Sequence, residues 1–305
     1  MEAAFLSWLR SQVPGHPRLQ LGIGDDAAIL DLASNSRCVL TTDMLNDGVD
    51  FVWGQCDGRL VGRKSLAVNL SDLAAMAAQP LAALVSLTLP RRDALAVGQQ
   101  LYQGLLPLAD EFDVAIAGGD TGSWDGPLVI GITALGVATE RGPLLRSGAR
   151  PGDAIIVTGS FGGSLLGRHF RFTPRVREAL LLNERYRLHA ATDVSDGLAL
   201  DLSHITQESG CGALVEAAAV PIADDAHRLA AADGGRTTPL EHALGDGEDF
   251  ELILAAPPEE AARLLRDQPL DVPLTRIGTF TAERGLRIKT PDGRCEPLPP
   301  RGYEH

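Results

Sequence analysis

Residues 57–90 read DGRLVGRKSLAVNLSDLAAMAAQPLAALVSLTLP. The span Asp57–Ala78 is rich in Leu, Ala, Val and Met, with polar residues at helical intervals. It predicts a long, strongly apolar helix that stops near Pro80. Leu81–Leu89, apolar but for Ser86 and Thr88 and closed by Pro90, predicts a strand. A helix feeding directly into a buried strand is the alternation of an α/β protein.

The same alternation continues on both sides. Arg37–Thr42 predicts a strand ending at Asp43, and Asp93–Phe112 a helix. Val114–Ala117 predicts a short strand running into Gly118-Gly119-Asp120, and Pro127–Ala138 another strand. Arg146–Asp153 (RSGARPGD) is a Gly/Pro turn cluster and the expected domain junction. A second α/β set follows: strands at Ala154–Thr158, Ala191–Asp193, Phe250–Ala255 and Leu274–Gly278, with helices after Gly163 and at Pro174–His189, Leu198–Glu208 and Pro258–Asp267. The expected fold is therefore α/β in two domains, 1–145 and 146–305.

Of the 305 residues, 45% are hydrophobic and 22% charged, the balance of a globular chain. Met1–Arg10 does not read as a secretory leader. No apolar run approaches the roughly 18–20 residues that span a bilayer. The four scattered cysteines form no C-x-x-C, which fits a reducing cytoplasm. A net charge of −13 disfavours nucleic acid and anionic membrane as partners. Only two residues are lysine, Lys64 and Lys289. If the chain handles polyphosphate, neutralisation falls to a divalent cation held by carboxylates.

Acids cluster beside glycine and at expected strand ends: Asp25 and Asp26 in GIGDD, Asp43 in TTD, Asp120 in GGDTG, Asp193 and Asp196 in DVSDG, Glu248 and Asp249 in GDGEDFEL. Strand ends are where an open α/β sheet presents its ligand crevice. Asp is also a favoured turn and cap residue, so each acid singly has a plain structural explanation. Asp72 differs, because it lies inside the apolar helix. Ser65, Asn69 and Asp72 fall at i, i+4 and i+7 and make one narrow polar stripe. That stripe is either a solvated face or a carboxylate with two neutral neighbours suited to a hydrated cation. No G-x-x-x-x-G-K-[ST], protein-kinase motif set, H-E-x-x-H or G-x-S-x-G is present.

GIGDDAAIL, TTDML, LAVNLSDLAAM, GGDT, RSGARPGD, DVSDGL, GEDFEL and RGYEH occur between residue 21 and the end of the sequence. In that order they resemble the thiamine-monophosphate kinases, within the aminoimidazole ribonucleotide synthetase-like superfamily. The resemblance implies transfer of the γ-phosphoryl group of ATP to thiamine monophosphate, with several Mg²⁺ ions. It implies Mg²⁺ ligands at Asp26, Thr41, Thr42, Asp43, Asp72, Asp120, Asp193 and Asp196, with Asp43, Asp120 and Asp196 central to catalysis. ATP contacts are implied at Gly119, Asp120, Arg146 and Ser195, and substrate contacts at Glu248 and Tyr303. Family members usually carry His where this sequence has Asp50, which makes Asp50 the candidate substrate contact at that place. The resemblance further implies an N-terminal domain that binds ATP and Mg²⁺ and forms a homodimer, and a C-terminal domain that completes the nucleotide and substrate site. Two alternatives stand beside it: a related ATP-dependent synthase, and a non-catalytic protein that binds metal or nucleotide.

Overall fold

The computed structural model describes residues 8–9, 11–13, 15–21, 29–30 and 37–303. Asp25 and Asp26 lie outside the described residues. The chain forms two compact units, one of residues 1–73 and 78–138, the other of 74–77 and 139–305.

In the first unit, strands β1 (Leu19–Leu21) and β2 (Ile29–Leu30) form an antiparallel pair. Strand β3 (Cys38–Asn46), helix α1 (Gly58–Ala75), strand β4 (Ala78–Pro90), helix α2 (Ala94–Glu111), and strands β5 (Ala115–Trp124) and β6 (Val129–Ala138) follow. Four of these strands make one mixed sheet in the order β3-β6-β4-β5, with β4 and β5 parallel. β3 runs four residues past its expected end at Thr42, because β6 offers an unbroken antiparallel partner from Cys38–Val137 to Asn46–Val129. β5 likewise continues through the glycines to Trp124 on its parallel partner β4. Asp43 and Asp120 therefore sit within strands and not at strand ends. Pro80 does not stop the helix either. The chain leaves α1 through Ala77, at φ 48°, and Pro80 already lies inside β4.

α1 is buried almost all round. Val61, Leu66, Leu70 and Leu73 have 0% exposure, and each such side chain contributes about 1.5–3 kcal/mol. α1 and α2 meet backbone to backbone. A Cβ at Gly62 would stand 1.9 Å from the Leu101 carbonyl oxygen, and one at Gly104 1.7 Å from that of Arg59. Only glycine at both positions permits this approach.

The second unit holds a seven-stranded mixed sheet, in the order β13-β12-β9-β11-β7-β10-β8. In chain order its elements are β7 (Ala154–Thr158), α3 (Val176–Arg185), β8 (Ala190–Asp193), α4 (Leu198–Ser209) and β9 (Gly212–Glu216). Then come α5 (Asp224–Ala232), α6 (Pro239–Gly245), β10 (Leu252–Ala256), α7 (Pro258–Asp267), β11 (Leu274–Thr281), β12 (Gly285–Lys289) and β13 (Cys295–Pro297). β7 and β10, whose every residue is buried, form the centre of its core. The helix expected after Gly163 is instead two single 3₁₀ turns, Ser164–Leu166 and Arg168–Phe170, separated by Gly167 at φ 120°. α3 is shorter than expected, and β10 starts at Leu252 because Glu248 and Phe250 take positive φ.

Candidate active site

In the first unit, β3 presents Thr41 and Asp43 on one face and α1 presents Asp72, while Thr42 takes the opposite, exposed face of β3 and its Oγ1 donates to the Ile132 carbonyl at 3.1 Å. The polar stripe on α1 is not a solvated face: Ser65 and Asn69 are fully buried, as is Lys64 beside them. Ser65 Oγ donates to the Gly62 carbonyl at 2.8 Å, and Asn69 Nδ2 to the Ser65 carbonyl at 3.1 Å, so the helix backbone takes up the donors of both side chains. Thr41 Oγ1 donates to Asp72 Oδ2, which ties β3 to α1. Asp43 Oδ2 is buried without a hydrogen-bond partner, as is Asn69 Oδ1. Burial first, then the negative charges of Asp72 and Asp50, push the Asp43 carboxyl up to about 7.

A buried carboxylate oxygen without a hydrogen bond, with two further carboxylates acting on it, fits a hard divalent cation. Among the described residues no three His, Cys, Asp or Glu side chains form a ready-made cage. Mg²⁺ does not require one, since it commonly keeps several waters and takes one or two carboxylates.

Asp50 is turned back on its own loop. Its Oδ2 accepts from the Asn46 N–H at 2.7 Å, and its carbonyl accepts from Lys64 Nζ at 3.2 Å. Asp120 is not brought to Asp43 within this unit. The row of Asp43 runs through buried Ile132 and Val85 to Gly119. Asp120 lies one row on, with Met44, Gly131 and Ser86, on the opposite and exposed face. Three strand spacings, roughly 14 Å, separate the two acids. A Cβ at Gly119 would fall 1.8 Å from the Val85 carbonyl oxygen, so β5 can pass there only as glycine.

In the second unit the predicted residues do converge. Asp193 ends β8, and Ser195 and Asp196 follow in the turn to α4. The Ser195 carbonyl accepts from the Glu248 N–H at 2.7 Å, and the Asp196 carbonyl from the Tyr303 N–H at 2.9 Å. Arg146 joins the same sheet end, its Nε donating to Thr192 Oγ1 at 3.3 Å. Tyr303 is 48% exposed. Glu248 Oε2 lies 2.8 Å from His169 Nδ1.

Of the charged residues near this cluster, Asp249 stood in a motif that the sequence singled out, whereas Glu251, Arg168 and Arg175 did not. Asp249 accepts from the Gly162 N–H at 2.9 Å and from Arg168 Nη2 at 2.7 Å. Burial pushes its carboxyl up to about 7 against those two contacts. Glu251 is held by Arg175 and by Thr158 Oγ1, which donates at 2.6 Å. The Gly159–Gly163 turn is no anion cradle. Its N–H groups at Gly159, Phe161, Gly162 and Gly163 go to Pro273, Pro221, Asp249 and Asp246. The readable signal was the pairing of GDGEDFE acids with the RHF and TPR arginines, opposite charges on two apolar strands' flanks.

Residues 24–138 match the family model of the AIR synthase related protein N-terminal domain, and residues 150–290 that of the C-terminal domain. The thiamine-monophosphate kinase of Rhodopirellula baltica is 45% identical over 100% of this chain and 97% of its own length. The chain belongs to the thiamine-monophosphate kinase family. A crystal structure of the thiamine-monophosphate kinase of Stenotrophomonas maltophilia K279a superposes with a TM-score of 0.79 at 35% identity, covering 94% of each chain. AaThiL complexed with AMPPCP and TMP superposes with a TM-score of 0.77 at 27% identity, covering 100% of this chain and 95% of that one. The two mixed sheets, one per unit, are thus those of the thiamine-monophosphate kinase fold.

Proposed function

We propose that this protein phosphorylates thiamine monophosphate to thiamine diphosphate at the expense of ATP, with Mg²⁺. The observation that carries the reading is the full-length identity to a named thiamine-monophosphate kinase. The complex of a structural relative with AMPPCP and TMP, an ATP analogue and the acceptor, supports it.

The acceptor phosphate is already an anion near neutral pH, so no strong base is required. The obstacle is bringing two anions together, and positioning plus charge neutralisation supply most of the catalysis. Asp43 and Asp72, with Thr41, would hold Mg²⁺ in the first unit, and Asp193 and Asp196 in the second; Thr42, whose side chain lies on the opposite face of β3, is a ligand on the family pattern alone. Asp26 and Asp120 are further ligands on the family pattern. Bound Mg²⁺ supplies neutralisation of phosphate charge and polarisation of the transferred group. The chain's own residues do the rest. Arg146 would fork its guanidinium onto phosphate oxygens; Gly119, Asp120 and Ser195 are nucleotide contacts on the family pattern. Tyr303 offers an aromatic face to the cationic thiazolium, and Glu248 an acceptor to the substrate. Asp50 acts through its loop and its charge on Asp43.

We place the protein in the cytoplasm, on its four scattered, unbridged thiols. Among the described residues no helix is long and apolar enough to cross a membrane. We also propose a homodimer through the open face of the four-stranded sheet, where Leu40 and Met44 are 68% and 67% exposed and Leu84 stands beside them. Asp120 shares that face.

The test offers thiamine monophosphate, thiamine and aminoimidazole precursors in parallel, with ADP release as the readout. Turnover with thiamine monophosphate alone supports the kinase. Turnover with another acceptor points to a related synthase, and binding without ADP release to a non-catalytic protein.

A further inference from the structure

We infer that Asp201 is the positioning residue that sets the Ser195–Gly197 loop and, through it, both the metal-side and the substrate-side groups of the second unit. The inference rests on the kinase reading for what those groups bind.

Asp201 lies in the first turns of α4 at 1% exposure. Its Oδ2 reaches back to accept the N–H groups of Asp196 at 3.0 Å and Gly197 at 3.1 Å. Its Oδ1 is buried with no hydrogen-bond partner, and His204 Nδ1 lies 3.6 Å from it. Burying a carboxylate costs several kcal/mol unless its bonds are worth it. Here one oxygen takes both bonds, and both go to the turn that carries the site.

That turn is a hub. Its N–H groups at 196 and 197 point to Asp201, while its carbonyls at 195 and 196 point to the Glu248 and Tyr303 N–H groups. The Asp196 peptide units are thus gripped on both sides. The tail crosses so closely that a Cβ at Gly302 would stand 2.4 Å from the Asp196 carbonyl oxygen. A shift of the turn moves the Asp196 side chain, the Glu248 turn and the Tyr303 tail together. Displacements near 1 Å at a reacting site can cost about a hundredfold in rate.

The geometry distinguishes the oxygen from its charge. In Asp201→Asn the amide oxygen can take the place of Oδ2, and the NH₂ group falls beside His204 Nδ1. Asp201→Glu keeps the charge but moves the oxygen by one methylene. The expected order is therefore Asn close to the native protein and Glu impaired. Asp201→Asn should keep kcat, the KM for thiamine monophosphate and the Mg²⁺ concentration for half-activity within about threefold. Asp201→Glu should raise that KM and that Mg²⁺ requirement each by at least about tenfold, with a native near-ultraviolet circular dichroism spectrum. If Asp201→Glu does not fold, Asp201→Ala is read in its place. An Asn variant as impaired as Glu overturns the inference, because the charge then matters and not the placed oxygen. A folded Glu variant with native parameters overturns it too. Glu248→Ala separates this from the functional reading. If Glu248→Ala leaves the KM for thiamine monophosphate unchanged, the substrate-side assignment of Glu248 fails, whatever the Asp201 variants do.

Discussion

The metal-free protein should grow less stable as pH rises from about 4 to about 7, and Asp43→Asn should remove the share of that loss that Asp43 carries, about half of what Asp43 and Asp249 contribute together. The cause is the Asp43 carboxyl, buried among the charges of Asp72 and Asp50 and raised from 3.8 to about 7. Between those two values the native state keeps a proton that the unfolded chain has released, so stability falls with rising pH. The interval, 7 minus 3.8, is about three pH units, and at about 1.4 kcal/mol per unit it sums to roughly 4 kcal/mol. Asn is isosteric and carries no charge to bury. At pH 8 without divalent ion, Asp43→Asn should therefore be more stable than the native chain by about 2–4 kcal/mol. Urea unfolding of both proteins at pH 5 and pH 8, with chelator and then with Mg²⁺, measures this. Mg²⁺ should restore the native protein at pH 8 and leave the variant little changed. Its half-saturating concentration should rise about tenfold per unit as pH falls below 7, because the cation must displace the proton. Asp249, also raised to about 7, adds a slope of the same sign to both proteins and cancels in the comparison. Equal pH slopes in the two proteins, or a variant less stable than native at pH 8 without metal, would refute the reasoning.

Asp72→Asn should lower kcat by at least about a hundredfold at saturating Mg²⁺, the scale of several kcal/mol of lost charge stabilisation; steady-state rates across a Mg²⁺ titration check it. Tyr303→Ala should weaken thiamine monophosphate binding by roughly 2- to 30-fold, and Tyr303→Phe much less, with Mg²⁺–ATP binding unchanged in both, as calorimetry can show. Gly104→Ala should cost at least about 2 kcal/mol of stability, since its Cβ meets the Arg59 backbone at 1.7 Å; denaturant midpoints give the number.

The α/β alternation was legible because long apolar helices and β-branched runs carry their period in the sequence. The strands around Asp43 and Asp120 ran longer than they read, because a tertiary partner decides where a strand ends: β6 for β3, and β4 for β5. β9, β12 and β13 were missed, being three to five residues long. α6 carried a readable signal that passed unnoticed. Thr238-Pro239-Leu240-Glu241 is a capping box with Pro at its first position, and the structure shows both reciprocal hydrogen bonds. The chemistry-bearing acids were legible by motif. Their grouping was not, because it depends on which face of a sheet each occupies. Asp43 and Asp72 meet across β3 and α1, whereas Asp120, in an equally conspicuous motif, takes the other face. Asp201 is silent in sequence, since an acid early in a helix reads as an ordinary response to the helix dipole.

The central claim is direct transfer from ATP to thiamine monophosphate on this chain. A rapid-quench single turnover with enzyme in excess, ATP labelled in its γ-phosphate, thiamine monophosphate and Mg²⁺ tests it most directly. The account predicts that label leaves ATP and enters thiamine diphosphate at one rate, with none bound to protein. Label trapped on the protein, or released as inorganic phosphate while thiamine monophosphate persists, would contradict it.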